Sequence, residues 1–303
     1  MTTVPRVNSL LSVVDVSDWA VDEFEPAGSD AKMWLATPDV CSRALFKPNR
    51  PHNGHEQGED WAEKLTSELA ALLGVPAARI DLAQRGDCRG CISYDVVPKG
   101  WELQPGAVLL SQIIGFDHDP RDPAARGHTL MNIQQALAGY GAPPGFQGPA
   151  DFSAFDVFCG YLMLDALIAN RDRHSENWAV LRGPNEPDQR LSPSYDHASA
   201  LGFNLLDERR QLLFRDRNMM DAFLRKGTAH RFEDGKKATL VGCAHTALGM
   251  AGDSVRAYWL DRLTSTDEDQ LDSVVARVPV MSDLSRRFAR YLLTVNRGRL
   301  LDV

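Results

Sequence analysis

Residues 170–177 hold the densest group of side chains in this sequence that could do chemistry. Eight positions carry two carboxylates, two guanidinium groups, an imidazole and two amides, in the order Asn170, Arg171, Asp172, Arg173, His174, Ser175, Glu176 and Asn177. A carboxylate can orient a hydroxyl group and accept its proton, and an amide oxygen can bind a hard metal ion. Runs of charge also cover the solvated ends of helices, which is the competing interpretation.

The spacing within this segment favours phosphoryl transfer. Asn177 follows Asp172 by five positions, the separation of base and metal-binding amide in the catalytic loop of protein kinases. Phosphoryl transfer also needs a second carboxylate to hold Mg²⁺ between the phosphates. Asp196 lies 24 residues after Asp172, beyond two strand-like segments and a turn. We therefore expect a hairpin to return Asp196 to the same site.

These residues resemble the motifs of a known family. The D-R-H-x-x-N string at 172–177, followed by Tyr195-Asp196, is similar to the catalytic and metal-binding motifs of the HipA-like kinases, toxin-type serine/threonine kinases with a variant protein-kinase fold. Phosphatidylinositol kinases contain a similar string. Upstream, the A-L-F-K segment ending at Lys47 resembles the strand that carries the ATP-contacting lysine, and residues 58–70 resemble the first N-lobe helix. The motifs occur in the family's order over about residues 25–230.

The resemblance implies a role for each of these residues. Asp172 would be the catalytic base, and Asn177 and Asp196 would bind Mg²⁺. Lys47 would contact the phosphates of ATP and pair with a carboxylate of the N-lobe helix.

Three glutamates compete to pair with Lys47. Glu63 and Glu68 are five positions apart, so they lie on different sides of a helix and only one can face the lysine. The alignment of residues 73–74 with the end of the family's helix favours Glu63 over Glu68, and Glu59 ranks below both.

The nucleotide-binding segments are less distinctive. The N-terminal third lacks the G-x-G-x-x-G loop of typical protein kinases. Residues 26–32 are similar to the short phosphate loop of the family, with Gly28 and Ser29 as candidate contacts and Ser29 as a candidate autophosphorylation site, although an ordinary β-turn fits nearly as well. The adenine would lie near residues 94–97, which resemble the hinge of the family and include Val96 and Val97.

The elements around these residues predict an α+β protein with a bilobal, protein-kinase-like (HipA-like) fold. Apolar residues at spacings of three and four predict a helix over 60–73, and a second, buried helix is predicted over 152–169. Short strands fill the rest of the first hundred residues, and helices dominate beyond residue 216. We expect a small strand-rich N-lobe over 1–97 and a larger helical C-lobe over 98–303.

Composition sets wider limits on the protein. Of its 303 residues, 44% are hydrophobic and 24% charged, and the net charge is −8, which argues against a disordered chain, a membrane protein or a sequence-independent binder of nucleic acid. The five cysteines form no dense disulfide framework. The only apolar stretch at the N-terminus, residues 10–14, is too short for a signal peptide. We expect a cytoplasmic protein.

Two short patterns allow more than one interpretation. His52 with His55 and Cys88 with Cys91 form an H-x-x-H and a C-x-x-C pair, which together could bind zinc. Because Arg89-Gly90 also fits a hairpin turn of the N-lobe sheet, we favour a structural role for the cysteine pair.

Together these features predict an ATP- and Mg²⁺-dependent phosphotransferase, most simply a serine/threonine protein kinase. Two alternatives stay open: a kinase for a small molecule or lipid headgroup, and a non-catalytic nucleotide-binding regulatory module. The segment before the phosphate loop is short, so we also expect that a separate polypeptide, such as an antitoxin-like or regulatory partner, could supply a missing N-terminal part.

Overall fold

A computed structural model of the protein describes residues 9–24, 32–38, 42–49, 51–52, 54–113, 115–117, 125–184, 189–233 and 238–302. The N-terminal part is a six-stranded sheet in the order β1-β5-β6-β4-β3-β2. Its strands are β1 (Val13–Asp15), β2 (Val21–Phe24), β3 (Met33–Ala36), β4 (Arg43–Pro48), β5 (Ile80–Arg85) and β6 (Cys88–Tyr94). β1 pairs with β5 in parallel, and the other neighbours are antiparallel.

The alternation of side chains along β4 determines the face of the sheet from which Lys47 projects. Ala44 and Phe46 are buried in a small cluster with Leu35 and Ile92 on one face of the sheet. Neighbouring residues of a strand point to opposite faces, so Lys47 projects from the other face.

The helix α1 (Glu59–Leu73) packs against β5 and β6. Leu65, Leu69 and Leu73 recur at a spacing of four and are fully buried, as expected for the apolar face of a helix. α1 ends at Gly74, which has a φ of 72° and so adopts the left-handed conformation that glycine tolerates. The predicted helix over 60–73 is confirmed within one residue.

The remaining elements form a mostly helical C-lobe with a small three-stranded sheet. The sheet contains β7 (Glu102–Pro105), β8 (Ala179–Arg182) and β9 (Gln189–Leu191). The helices are α2 (Gly106–Leu110), α3 (Leu130–Ala136), α4 (Ala154–Ile168), α5 (Asp207–Arg215), α6 (Arg217–Arg225), α7 (Leu240–Ala251), α8 (Asp253–Ser265), α9 (Glu268–Ala276) and α10 (Asp283–Leu301). The bilobal α+β fold predicted from the sequence is confirmed, whereas the boundary between residues 97 and 98 stays a prediction.

The buried helix α4 supports the predicted catalytic loop. It begins with a capping box between Ser153 and Asp156 and ends at Ala169, which has a φ of 54°. It packs against α7, α8 and α10, and Gly160 permits the indole of Trp259 to approach its backbone. Because residues 170–177 follow directly, their starting point is fixed by the core.

The antiparallel pair β8 and β9 is the hairpin expected between Asp172 and Asp196. It carries the chain away from the predicted catalytic loop and back to Ser194, which is bridged to Ala77 of the N-lobe. The expected hairpin is therefore present, and the shared site of Asp172 and Asp196 stays a prediction.

The hairpin turn considered at Arg89-Gly90 is wrong. Arg89 and Gly90 lie within β6, and the hairpin turn falls at Gly86-Asp87, where Gly86 has a φ of 56°. Gly90 is needed for close approach instead, because a Cβ atom there would lie 2.2 Å from the carbonyl oxygen of Lys47.

The zinc interpretation finds no support in the part of the chain that the structure describes. Cys88 is exposed and Cys91 is buried, since residues three apart on one strand point to opposite faces. His52 and His55 form a small antiparallel bridge. No group of three metal-ligating His, Cys, Asp or Glu side chains occurs among the described residues.

Across these same ranges, none of the helices combines the length and apolar character needed to cross a membrane.

Candidate active site

Lys47, Glu63 and Asp196 form a cluster of charges between the two lobes. Lys47 Nζ lies 2.6 Å from Glu63 Oε1 and 2.9 Å from Asp196 Oδ1. The side chain of Glu63 is 1% exposed, so its charge is largely removed from water and depends on these partners. A strand, a helix and the loop after β9 thus meet at one ammonium group.

The second oxygen of Glu63 also has a partner. Glu63 Oε2 accepts a hydrogen bond from the backbone N–H of His197 at 3.0 Å. Glu68 lies elsewhere and pairs with Lys64, whose Nζ is 2.6 Å from Glu68 Oε1. Of the two carboxylates that competed in the sequence, Glu63 is the one in contact with Lys47.

These contacts shift the proton affinities of the pair at the centre. Lys47 is the main reason that the pKa of Asp196 falls well below its usual value, against the opposing effect of burial. Burial alone would lower the pKa of Lys47, but Asp196 and Glu63 together raise it well above its usual value. Both groups are therefore charged over the whole physiological range.

The backbone at Asp196 is unusual for a non-glycine residue. Its φ is 61°, in the left-handed region that Asp and Asn enter more readily than other side chains. This conformation accompanies the contacts of Asp196 with Lys47 and of His197 with Glu63.

Asp172 lies on the adjoining loop and contacts an arginine that the sequence did not single out. Arg231 Nε donates a hydrogen bond to Asp172 Oδ1 at 2.7 Å, and Arg231 Nη2 lies 2.7 Å from the same oxygen in an ion pair. The side chain of Asp172 is 30% exposed, so the carboxylate remains accessible to a second molecule.

The amide of Asn177 is oriented by the same loop. Its Nδ2 donates to the backbone oxygen of Asp172 at 2.7 Å, which turns Oδ1 away from that bond. His174 N donates to Asp172 O at 2.8 Å, and Asn177 N donates to His174 O at 3.0 Å. The loop is thus wound tightly between the two predicted functional residues.

A buried ion pair anchors this loop to α4. Arg173 Nε lies 2.7 Å from Asp165 Oδ2, and Arg173 Nη2 lies 2.9 Å from Asp165 Oδ1. Arg173 also donates to the backbone oxygen of Asn177 and, at 2.9 Å, to Ser194 Oγ. One buried guanidinium therefore connects α4, the loop at 170–177 and the segment that carries Asp196.

His197 completes the connection as a neutral side chain. Its Nε2 lies 2.8 Å from Ser194 Oγ and 3.3 Å from Arg173 Nη2, and Nε2 must accept the bond from the guanidinium. Burial, followed by the neighbouring charge of Arg173, lowers the pKa of His197 to about 3. His197 thus links the segment that carries Asp196 to the buried Arg173.

The predicted nucleotide contacts divide into two groups. Gly28 and Ser29 lie outside the described residues. Val96 packs in a small apolar cluster with Ile80 and Cys91. Val97 N donates to Asp95 Oδ1 at 2.9 Å, so the predicted hinge follows β6 directly.

The donor set fits Mg²⁺ better than a nitrogen- or sulfur-binding metal. Asp196 offers a carboxylate and Asn177 an amide oxygen, which are the hard oxygen ligands that Mg²⁺ prefers. Mg²⁺ commonly takes one or two protein oxygens and completes its shell with phosphate and water, and Asn177 and Asp196 would supply two.

Three residues around the site were not predicted from the sequence. They are Arg231, Asp165 and His128. Asp165 interrupts an apolar helix, a signal that a buried charge with a partner could have explained. Arg231 and His128 lie in irregular segments without a periodic pattern, so only the tertiary structure connects them to Asp172.

Comparison with known proteins agrees with this architecture. The sequence model described as the HipA-like C-terminal domain matches residues 24–241. The crystal structure of the proinflammatory kinase CtkA from Helicobacter pylori is similar, with a TM-score of 0.72, 17% identity and 96% of each chain covered. HipA of Shewanella oneidensis MR-1, solved with HipB and operator DNA, gives a TM-score of 0.50 and 14% identity over 94% of this chain and 68% of HipA. Comparison with curated protein sequences gives no match.

The solved structures share the fold at low identity, and the domain match covers well over half of the sequence. The bilobal arrangement and the match to this domain were both expected from the motifs around Lys47, Asp172 and Asp196. This chain belongs to the HipA-like kinase family.

Proposed function

We propose that this protein is an ATP- and Mg²⁺-dependent kinase that transfers the γ-phosphoryl group to a serine or threonine hydroxyl of another protein. The observation that carries the proposal is the contact of Lys47 with both Glu63 and Asp196, beside a loop that presents Asp172 and Asn177. Phosphoryl transfer requires mainly positioning and electrostatic stabilisation, and this arrangement offers both.

Each residue has a distinct task in this proposal. Lys47 provides a fixed positive charge for the phosphates, and Glu63 keeps its ammonium group in place. Asp172 accepts the proton of the attacking hydroxyl, which raises the nucleophilicity of the oxygen. Asn177 and Asp196 would hold Mg²⁺, which neutralises phosphate charge when it is bound.

The intact charge cluster argues against a non-catalytic regulatory module. A buried carboxylate such as Glu63 is costly unless it is paired, and the pairing here joins the proposed phosphate-binding lysine to one of the proposed metal ligands, Asp196. A small-molecule or lipid-headgroup acceptor is the alternative that the acceptor experiment must distinguish.

The direct test is phosphoryl transfer from labelled ATP by the purified protein with Mg²⁺. We expect transfer or autophosphorylation by the wild type and its loss in Asp172→Ala. Glu176→Gln removes another carboxylate of the same loop and should retain activity. Transfer at the wild-type rate by Asp172→Ala would refute the assignment of the base.

The acceptor is tested in cells that express the wild type or Asp172→Ala. New serine or threonine phosphosites that depend on Asp172 would support the protein-kinase proposal. A changed phosphometabolite without new phosphosites would favour a small-molecule acceptor.

The proposal also includes a cytoplasmic location and an antitoxin-like or regulatory partner. The precedent for such a partner among the similar structures is HipA, which was solved with HipB. Affinity capture from the native host that recovers no protein would count against the partner.

A further inference from the structure

Asp172 is connected to two buried aromatic side chains through a chain of hydrogen bonds. Trp178 Nε1 donates to His128 Nε2 at 3.2 Å, and His128 Nδ1 lies 2.7 Å from the backbone oxygen of Arg231. Arg231 Nε then donates to Asp172 Oδ1, and Arg231 Nη2 forms an ion pair with the same oxygen.

The hydrogen-bond partners of the two ring nitrogens fix the tautomer of His128. The indole N–H of Trp178 can only donate, so His128 Nε2 must accept. The proton of the neutral ring then lies on Nδ1, which donates to the carbonyl of Arg231. Burial lowers the pKa of His128 to about 4, which agrees with a neutral ring at physiological pH.

The segment that carries Arg231 is tied to the segment that carries His128 by further contacts. Glu233 N donates to His128 O at 3.0 Å, and Gly127 N donates to Glu233 Oε2 at 2.6 Å. The ring of Phe232 lies 4.6 Å from the ring of His128, centroid to centroid. Since His128 and Trp178 are 3% and 1% exposed, the backbone of Arg231 is held from the protein interior.

The geometry at the carboxylate separates its two oxygens. The hydrogen bond from Arg231 Nε and the ion-pair contact of Arg231 Nη2 both fall on Asp172 Oδ1. Among the described residues no other side chain donates to this carboxylate, and Oδ2 is the oxygen left to receive a proton. Two nitrogens of a rigid, planar guanidinium restrict the position of this one oxygen more narrowly than the single point charge of an ammonium group would.

We propose that Arg231 is a positioning residue for Asp172: it fixes Oδ1 so that Oδ2 is presented to the acceptor hydroxyl, and His128 and Trp178 hold Arg231 in place for this task. The inference rests on the proposed role of Asp172 as the base. It assigns to Arg231 no contact with ATP. An error of about 1 Å in the placement of a reacting group can reduce the rate about 100-fold.

The test compares Arg231→Ala with Arg171→Ala in steady-state phosphoryl transfer. We expect Arg231→Ala to lower kcat about 100-fold and to leave the KM for ATP within about twofold. Arg171 directly precedes Asp172 in the sequence and is exposed, and its removal should leave kcat within about twofold. Arg231→Lys keeps the charge without the planar pair of donors, and it should restore only a small part of kcat.

Guanidinium at millimolar concentration provides a readout that a structural role would not move. It should partly restore kcat in Arg231→Ala, with no effect on Asp172→Ala or Arg171→Ala. Trp178→Phe removes the indole donor while keeping an aromatic ring, and we expect a smaller loss of kcat, about 10-fold, again at constant KM for ATP.

Several outcomes would overturn the inference. These are a wild-type kcat in Arg231→Ala, a rise in the KM for ATP with unchanged kcat, and a folded but inactive Arg231→Ala that guanidinium does not restore. If Arg231→Ala does not fold, the same kinetic criteria apply to Arg231→Lys and Trp178→Phe. Inactivity of the wild type, or full activity of Asp172→Ala, would refute the proposed function, whereas full activity of Arg231→Ala alone would refute only the positioning role.

Discussion

Lys47 and Glu63 are in direct ionic contact, with 2.6 Å between Nζ and Oε1, and this contact joins β4 to α1 across the site. The side chain of Glu63 is almost completely buried, with 1% of its surface exposed. The position of α1 and the position of the lysine are therefore set together.

Glu63→Gln should impair catalysis because the amide keeps the shape of the side chain but removes the charge that holds Lys47. We expect kcat/KM for ATP to fall about 100-fold, which corresponds to about 2.7 kcal/mol of transition-state stabilisation. Glu68→Gln is the matched control, because Glu68 lies on the same helix and pairs with Lys64. Equal kinetic losses in the two variants would contradict a specific role for Glu63.

Asp196→Asn should raise the Mg²⁺ concentration needed for half-maximal activity. The amide retains one oxygen but loses the negative charge, and we expect a shift of at least about 10-fold, the loss typical of changes at a metal site. Asn177→Ala should act in the same direction, and Glu176→Gln should not. A Mg²⁺ titration of each purified variant measures this, and unchanged titrations for both Asp196→Asn and Asn177→Ala would rule out their assignment as ligands.

Arg173→Ala should be far more destabilising than Arg171→Ala. Arg173 is buried and forms a two-point ion pair with Asp165, so its loss leaves a buried carboxylate without its cation and costs about 3–5 kcal/mol. Arg171 is exposed, and its removal should change the free energy of unfolding by less than about 0.5 kcal/mol. Urea denaturation of the two variants measures the difference. Similar unfolding midpoints would show that the Arg173 pair contributes little.

Stability should decrease on mild acidification because His128 is neutral when folded. Its pKa falls from 6.5 to about 4 in the folded protein, so between these values the unfolded chain binds a proton that the folded protein does not. Through this one histidine, the free energy of unfolding falls by about 1.4 kcal/mol for each pH unit between 6.5 and 4, and His197, whose pKa falls to about 3, adds a loss of the same sign. At higher pH both states are neutral and this contribution is constant.

Urea denaturation at pH 7, 6 and 5 tests this dependence in the wild type and in His128→Asn. The asparagine cannot titrate, so its stability should vary with pH by about 1.4 kcal/mol less per unit. Paired carboxylates such as Asp196, whose pKa is lowered mainly by Lys47, lose their contribution only at more acidic pH. A variant that follows the wild-type pH dependence would show that His128 is not responsible.

Gly160→Ala should destabilise the C-lobe because there is no room for a methyl group. A Cβ atom at Gly160 would lie 2.5 Å from Trp259 Cζ2, and overpacking of this kind costs about 1–3 kcal/mol. Gly249→Ala is the matched control in another helix, where no atom lies within 4 Å of the new Cβ, and it should stabilise the protein by up to about 1 kcal/mol. Thermal melts of the two variants should therefore shift in opposite directions.

The sequence was most informative where local pattern and chemistry coincide. α1 was predictable because its apolar face repeats at a helical spacing and Gly74 ends it. The segment at 170–177 was selected as the candidate catalytic loop because its residue types and spacing are those that phosphoryl transfer requires, and this assignment stays a prediction. The hairpin between Asp172 and Asp196 followed from the distance that the chain must cover.

Other elements had no local signal. α5 buries only Arg210 and Leu213, so it lacks an apolar stripe and is stabilised by its neighbours. The turn between β5 and β6 was misplaced because Gly86 and Gly90 look alike in sequence, although one supplies a left-handed conformation and the other permits a close approach.

The contact of Arg231 with Asp172 joins residues 59 positions apart. It depends on the packing of His128 and Phe232, which no spacing rule encodes. Long-range polar contacts of this kind are fixed by the assembled fold rather than by any one element.

Because the backbone at Asp196 is left-handed, the choice of substitution at this position decides whether activity is lost with or without strain in the loop. A side chain such as alanine would strain this conformation by about 1–2 kcal/mol, whereas asparagine tolerates it and glycine removes the strain entirely. Asp196→Gly should therefore abolish transfer while preserving the native loop, which provides an inert but well-folded form suited to capturing the acceptor before it is modified.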